Sequence, residues 1–138
     1  MASAAKIEQR LRERGIQPSA QRLAVADYVL ETLEHPSADQ VWARVKERFP
    51  AISRATVYNT LNLFVEKGLL AQHALAEGRV VFDPNTGPHH HFIDEGSGAI
   101  LDVPWEAVDV RKVEELRGLE VREYQVVMRG RRKGRGPA

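Results

Sequence analysis

Apolar residues recur at helical spacing through the first half of the chain. The pattern predicts a first helix over residues 4–14, with Gly15 behind it as a C-terminal stop signal. A second helix follows Ser19 and ends before Pro36. Its apolar residues lie three or four positions apart and predict one buried face: Leu23, Ala26, Leu30 and Leu33.

Capping residues predict two more helices. Ser37 precedes the third, and Gln40 stands where a capping box takes Glu or Gln. Pro50 ends that helix. Ser53 caps the fourth helix, and Gly68 closes it.

Short extended runs at 69–75 and 79–82 flank Glu77-Gly78, which predicts a hairpin. Helices followed by a two-stranded hairpin are the winged form of the helix-turn-helix. We therefore interpret residues 1–84 as a winged-helix DNA-binding domain and the turn-rich segment 83–88 as a hinge.

The remaining residues, 85–138, have a mixed pattern. Strands are predicted over 89–93, 99–103 and 119–128, with a helix over 105–117. This second domain has too little apolar sequence for a comfortable core of its own, so we expect a homodimer. The predicted fold class is α+β: an N-terminal winged helix-turn-helix domain followed by a small α/β dimerisation and metal-sensing domain.

Composition limits the chemistry available. The 138 residues include no cysteine, so disulfides and thiolate metal sites are excluded. A metal site must use imidazole and carboxylate groups, which suit iron, manganese, zinc or nickel. The net charge of +1 does not by itself indicate a nucleic-acid partner. A basic tail is interpreted as a solvated chain end, with phosphate contact as the alternative: Arg129, Arg131, Arg132, Lys133 and Arg135.

No apolar run is long enough to span a bilayer, and no signal-peptide pattern precedes the first helix. We therefore expect no membrane partner and a cytoplasmic location.

The fourth helix carries an unusual polar face. Arg54, Tyr58, Asn59 and Asn62 lie away from its apolar stripe, where a solvent-facing helix is usually rich in Lys and Glu. Such side chains can hydrogen-bond base edges and phosphates in a major groove. A merely polar surface is the alternative. Two arginines of the first helices, Arg12 and Arg22, are candidates for phosphate contacts, although each alone could be a solvated surface charge.

Three consecutive histidines provide the candidate metal chemistry. Alternate residues of a strand share a face, so His89 and His91 can chelate one ion while His90 points away. Three further candidates are His35, Asp83 and Asp102. Together they suit Fe(II) or Mn(II), with Zn(II) as a competitor.

Each of these three has a structural alternative, respectively a helix end, a turn residue and a helix cap. His73 has no evident partner in the sequence and is expected to be exposed.

Several runs together resemble the ferric uptake regulator family over nearly the whole chain. They are Pro18–Arg22, His35–Asp39, Ser53–Asn59, Val81–Asp83 and His89–His91. The resemblance implies a winged-helix domain, a hinge, an α/β dimerisation domain, a palindromic double-stranded operator and a regulatory metal held between the domains. It places the regulatory ligands on His35, Asp83, His89, His91 and Asp102, and the recognition-helix tyrosine on Tyr58.

The chain also departs from the family pattern. Many members hold a structural zinc with two Cys-x-x-Cys pairs. Asp94 and Ser97 stand at the first pair here, and no cysteine follows, so we expect no structural zinc of the four-cysteine type. A second, exposed metal site of the family would need Pro88 and Tyr124, which are poor ligands, and is not expected.

Aspartates at 83 and 102 resemble the peroxide-sensing branch, in which bound Fe(II) reacts with hydrogen peroxide, a ligand imidazole is oxidised and the repressor leaves DNA. An iron-responsive regulator, of the kind that in some cases binds haem, is the alternative within the family. A non-haem iron enzyme is disfavoured, because the second domain is too small for an ordinary substrate pocket. A metal-independent DNA-binding protein with structural zinc is a third reading.

Overall fold

The computed structural model describes residues 4–75 and 78–134. Glu77 of the predicted hairpin turn and Arg135 of the basic tail lie outside these ranges. The chain divides into two compact units, Met1–Thr86 and Gly87–Ala138. Among the described residues, no helix is long and apolar enough to cross a membrane.

The first unit is built on helices with one buried face each. They are α1 (Ala4–Glu13), α2 (Ala20–Val29), α3 (Ala38–Val45) and α4 (Arg54–Glu66). Their apolar stripes meet in one core, which includes Leu11, Val25, Val41, Val57, Leu61 and Phe64.

The buried face predicted for the second helix is only partly correct. Ala26 and Leu30 are buried, but α2 ends at Val29 and Leu33 is 89% exposed.

Local side-chain caps fix where these helices begin. The hydroxyls of Ser19, Ser37 and Ser53 accept hydrogen bonds from backbone amides in the first turn of α2, α3 and α4. At α3 the capping box is complete, since Gln40 Oε1 also accepts from the Ser37 amide at 2.8 Å. The predicted starts of these helices are therefore confirmed.

A two-stranded antiparallel sheet follows the helices. Strands β1 (Ala71–Ala74) and β2 (Val80–Asp83) pair with Ala71 opposite Asp83. The backbone amide of Phe82 in β2 donates to the carbonyl of Pro36 at 2.9 Å, which ties the sheet to the segment before α3. Helices plus hairpin give the winged helix-turn-helix that the sequence predicts.

The second unit contains a three-stranded sheet. Strand β3 (His89–Asp94) lies between β4 (Ile100–Pro104), which is antiparallel to it, and β5 (Val127–Gly130), which is parallel. Helices and small sheets together confirm the α+β class.

The helix predicted for this unit is wrong, and the last predicted strand starts too early. Residues 105–117 form only short 3₁₀ turns, at Trp105–Ala107 and Val113–Glu115. Residues 119–126 are not strand, although the Val126 carbonyl accepts from the His91 amide of β3 at 3.0 Å, and β5 begins only at Val127.

The packing of the unit explains the missing helix. Most helical stability in proteins comes from packing an apolar face, and only Ile93 and Ile100 are buried hydrophobic residues in the described part of this unit. β-Branched valines lower the helix propensity of the segment further. Leu116 and Leu119 consequently remain 48% and 64% exposed.

Candidate metal centre and nucleic-acid interface

His35 lies at a sharp turn before α3. Its backbone has φ +51°, the left-handed region, which costs energy for a residue other than glycine. The bond between Phe82 and Pro36 brings this turn beside the end of β2. The His35 ring is buried and its Nε2 lies 3.2 Å from Asp83 Oδ2. Two segments far apart in sequence therefore place an imidazole against a carboxylate.

Asp83 is a buried carboxylate with its two oxygens directed differently. It is 2% exposed, and Oδ1 accepts from the backbone amide of Asn85 at 2.8 Å. Oδ2 faces the imidazole nitrogens of His35, at 3.2 Å, and His73, at 3.8 Å. The amide bond therefore orients the carboxylate and leaves Oδ2 toward the two rings.

Sequence reasoning missed His73. Its side chain is only 16% exposed, whereas we expected an exposed residue on the hairpin. The hairpin register contains the missing signal: Ala71 is opposite Asp83, and His73 is two residues along the same strand. Residues at this diagonal share a face and lie within reach of long side chains.

In the second unit, His89 and His91 both face Asp102. Their Nε2 atoms lie 3.3 and 3.6 Å from Asp102 Oδ1, and their ring centroids are 4.7 Å apart. Strand alternation puts the two rings on one face of β3, and the register sets His91 opposite Asp102. Both rings are buried, while Asp102 is 38% exposed.

The other ring nitrogen of each histidine is anchored on an oxygen. The Nδ1 atom of His35 lies 3.2 Å from the carbonyl oxygen of Leu33. The Nδ1 atom of His89 lies 2.7 Å from the carbonyl oxygen of Gly87. The Nδ1 atom of His91 contacts Gln125 Oε1 at 2.7 Å. A carbonyl oxygen only accepts, so Nδ1 carries the proton and a neutral ring directs its Nε2 lone pair at the carboxylate. Such an anchor orients a metal-binding histidine and fixes its tautomer.

This donor set fits a divalent transition-metal ion. A lone pair facing a carboxylate oxygen is repulsive unless a proton or a metal ion lies between them. Ligands about 2.1 Å from one ion are roughly 3.0 Å apart in octahedral geometry and roughly 3.4 Å apart in tetrahedral geometry. The separations of 3.2, 3.3 and 3.6 Å for His35, His89 and His91 from their carboxylates are close to those values.

His90 points to the opposite face of β3 and has the opposite tautomer. Its Nδ1 accepts from the backbone amide of Val126 at 2.9 Å, so a neutral ring carries its proton on Nε2. The ring is fully buried and stacks on Trp105 with centroids 4.6 Å apart. A protonated Nε2 cannot be a ligand, which distinguishes His90 from its two neighbours.

The position of the missing cysteine pair is occupied by a hydrogen-bonded turn. Asp94 accepts from the Gly96 amide at 3.0 Å and from the Ser97 hydroxyl at 2.8 Å, and it forms an ion pair with Arg132 at 3.2 Å. These bonds hold the pKa of Asp94 below its usual value, with the Ser97 hydroxyl as the largest cause. The turn between β3 and β4 is thus closed by side chains rather than by thiolates. At the family's second metal site, Tyr124 packs against Trp105, with centroids 4.8 Å apart.

The polar face of α4 is the candidate nucleic-acid interface. Arg54 and Tyr58 lie one turn apart and both contact Asp39 of α3. Asn59 and Asn62 are exposed on the same helix.

The two helix arginines already have protein partners. Arg12 forms an exposed ion pair with Glu8, and Arg22 donates to the carbonyl of Gln17.

A winged helix-turn-helix combined with anchored histidine–carboxylate sets is the architecture of a metal-responsive regulator. The profile of the ferric uptake regulator family matches residues 13–129. The chain belongs to this family, which confirms the resemblance and identifies it as a regulator rather than an enzyme.

Similar relatives include the peroxide operon regulator of Bacillus subtilis, 36% identical over 106 residues that cover 77% of this chain and 72% of the relative. The peroxide-responsive repressor PerR of Staphylococcus epidermidis is 35% identical, with 77% and 69% of the two chains covered. Among solved structures, the Pseudomonas aeruginosa ferric uptake regulator with manganese has a TM-score of 0.67 at 25% identity, with 92% and 98% covered.

Proposed function

We propose that the protein is a metal-dependent, DNA-binding transcriptional repressor that senses peroxide. Its regulatory site would bind Fe(II) or Mn(II), with Zn(II) as a substitute. The ligands are assigned to His35, Asp83, His89, His91 and Asp102. The observation that carries the proposal is the anchoring of Nδ1 in all three histidines, which presents Nε2 to a carboxylate. The names of the relatives in Bacillus subtilis and Staphylococcus epidermidis support peroxide as the signal.

The assigned ligands come from both halves of the sequence. The first unit offers His35 and Asp83, with His73 as an additional candidate, and the second offers His89, His91 and Asp102. Three protein ligands can hold such an ion when water completes the coordination, so the assignment of all five residues to one ion rests on membership of the ferric uptake regulator family. A shared ion would couple the DNA-binding residues 1–84 to the dimerisation and sensing residues 85–138.

DNA recognition is assigned to α4. Base edges and nearby backbone in the major groove would be contacted by the polar face of this helix, on which Tyr58 is half-buried and the others are exposed: Arg54, Tyr58, Asn59 and Asn62. Arg12 and Arg22 would contact phosphates. A homodimer would bury Leu116 and Leu119. Its two-fold symmetry would favour a palindromic operator. The protein would act in the cytoplasm.

Metal and DNA binding are coupled in this proposal. If the ion favours the DNA-binding arrangement of the dimer, each ligand must strengthen the binding of the other. Bound iron supplies reactivity toward peroxide. His89 and His91 keep a ligand nitrogen directed at the site, so an oxidised ring would lose its metal and release the operator.

The test uses the full chain loaded with Mn(II) or Fe(II), and a duplex selected from a random library on the Mn(II) form. His91→Ala is expected to lose metal-dependent DNA binding. His90→Gln is the matched control on the other face of β3, and it should retain that binding. Circular dichroism checks that both variants fold.

Peroxide should release DNA from the iron form only, with oxygen added to a peptide containing His35, His89 or His91. Equal operator affinity with and without metal would refute metal dependence. If haem released the DNA and peroxide did not, the protein would instead be an iron-responsive regulator. Chelation that unfolds the chain would support a structural zinc instead.

A further inference from the structure

Two exposed side chains, Asp39 and Arg54, and the half-buried Tyr58 form a closed ring of hydrogen bonds in the first unit. Arg54 Nε donates to Asp39 Oδ1 at 2.8 Å, and Arg54 Nη2 donates to Asp39 Oδ2 at 3.3 Å. The Tyr58 hydroxyl donates to Asp39 Oδ1 at 2.9 Å and accepts from Arg54 Nη2 at 3.1 Å. Each member therefore contacts the other two.

Local structure holds the ring in place from two helices. Arg54 and Tyr58 are four residues apart on α4, so they lie on the same side of the helix. The Arg54 guanidinium lies 4.9 Å from the centroid of the Tyr58 aromatic ring. Asp39 lies in the first turn of α3, where the helix dipole favours a carboxylate. The capping box at Ser37 fixes the start of that turn.

We propose that Asp39 is a specificity-determining positioning residue, which pre-orients Arg54 and Tyr58 for the operator and weakens their binding to other DNA. The inference rests on the proposed function in one respect, that Arg54 and Tyr58 contact DNA. It adds a residue that is not itself assigned a DNA contact.

Pre-orientation follows from the donors that the ring leaves available. Three N–H groups of Arg54, one on Nε and two on Nη2, donate the hydrogen bonds to Asp39 and Tyr58. The Nη1 edge of the guanidinium takes no part in these bonds. A flexible arginine loses conformational freedom when it binds, and an arginine that is already ordered loses less. A base or phosphate at the correct position therefore meets a fixed donor edge.

Charge supplies the discrimination. Non-specific DNA affinity comes almost entirely from phosphate neutralisation by cations. The Arg54 and Tyr58 hydrogen bonds lower the pKa of Asp39, so its carboxylate is charged at neutral pH and offsets the Arg54 cation. DNA that cannot use the fixed donor edge gains little from this arginine and meets a negative charge beside it, which acts as a repulsive element.

A purely structural ion pair would behave differently. Asp39 and Arg54 are both more than half exposed, and exposed ion pairs contribute little to folding stability. Removal of the Asp39 charge should therefore leave thermal unfolding nearly unchanged. A role in recognition must appear instead in the ratio of specific to non-specific affinity and in its salt dependence.

The experiment compares the Mn(II)-loaded full chain with Asp39→Asn. The control is Asp27→Asn, another aspartate of this unit that pairs with an arginine, Arg48, at 2.8 Å. Dissociation constants are measured at several salt concentrations for the selected operator and for a scrambled duplex of equal length. Thermal unfolding is measured for all three proteins.

Asp39→Asn is expected to bind scrambled DNA more tightly and to lower the specificity ratio at least about tenfold, as for loss of one base contact. The salt slope on scrambled DNA should become steeper by about 0.9 per protomer, because Arg54 becomes available to a phosphate. Asp27→Asn should match the parent protein. A specificity ratio and salt slope equal to those of the parent would overturn the proposal.

Two further variants separate this result from failure of the proposed function. Arg54→Ala and Tyr58→Phe should each weaken operator binding. If neither variant weakens operator binding, α4 is not the helix that contacts the operator, whatever the result for Asp39→Asn. If both do while Asp39→Asn leaves specificity intact, only the role of Asp39 is refuted.

Discussion

Gln125 orients the His91 ring through a hydrogen bond. Removal of the Gln125 side chain should weaken metal binding about 10- to 100-fold. Its Oε1 lies 2.7 Å from His91 Nδ1, and the ring is completely buried. In Gln125→Ala this nitrogen loses its acceptor. The proton can then occupy Nε2, where it removes the lone pair that the metal needs.

The magnitude follows from the burial of the ring. A buried donor without an acceptor costs about 1–3 kcal/mol. At about 1.4 kcal/mol per tenfold change in affinity, this corresponds to roughly 5- to 150-fold. The range agrees with the effect expected for loss of an orienting partner of a metal ligand.

Mn(II) titration followed by electron paramagnetic resonance of the free ion measures the effect. Gln125→Glu is the decisive companion, because a carboxylate can only accept from Nδ1 and should keep or strengthen binding. The reasoning is refuted if Gln125→Ala binds Mn(II) as tightly as the parent. It also fails if Gln125→Glu binds more weakly than Gln125→Ala.

Three other outcomes follow from the structure. His90→Phe should keep the Mn(II) affinity within about twofold but lower the free energy of unfolding by about 1 kcal/mol, because the Val126 amide loses its acceptor; a large loss of metal affinity would make His90 a ligand. Ser37→Ala should lower the unfolding free energy by about 0.5–2 kcal/mol in urea, whereas an unchanged midpoint would mean that the α3 cap contributes nothing. The lowered pKa of Asp94 stabilises the fold at pH above 3.8 and loses this effect as pH falls below it. Acid unfolding of Asp94→Asn should accordingly depend less on pH in that range, and an identical acid profile would exclude the linkage.

Part of the metal site could be predicted from local sequence. The shared face of His89 and His91 follows from strand alternation, which needs no knowledge of the fold. His73 could not be found in this way, because its approach to Asp83 depends on the hairpin register. The anchor on His91 comes from Gln125, 34 residues away, and no local pattern indicates it.

The sequence by itself determined where α2, α3 and α4 begin and which strand face carries the histidines, because caps and alternation act within a few residues. Only the tertiary structure decided which side chains meet. The bond from Phe82 to Pro36 brings His35 to Asp83, and the packing of α3 beside α4 brings Asp39 to Tyr58. The tertiary structure also explains why residues 105–117 do not form a helix. A helix needs an apolar surface to pack against, and the described part of the second unit has few buried hydrophobic residues.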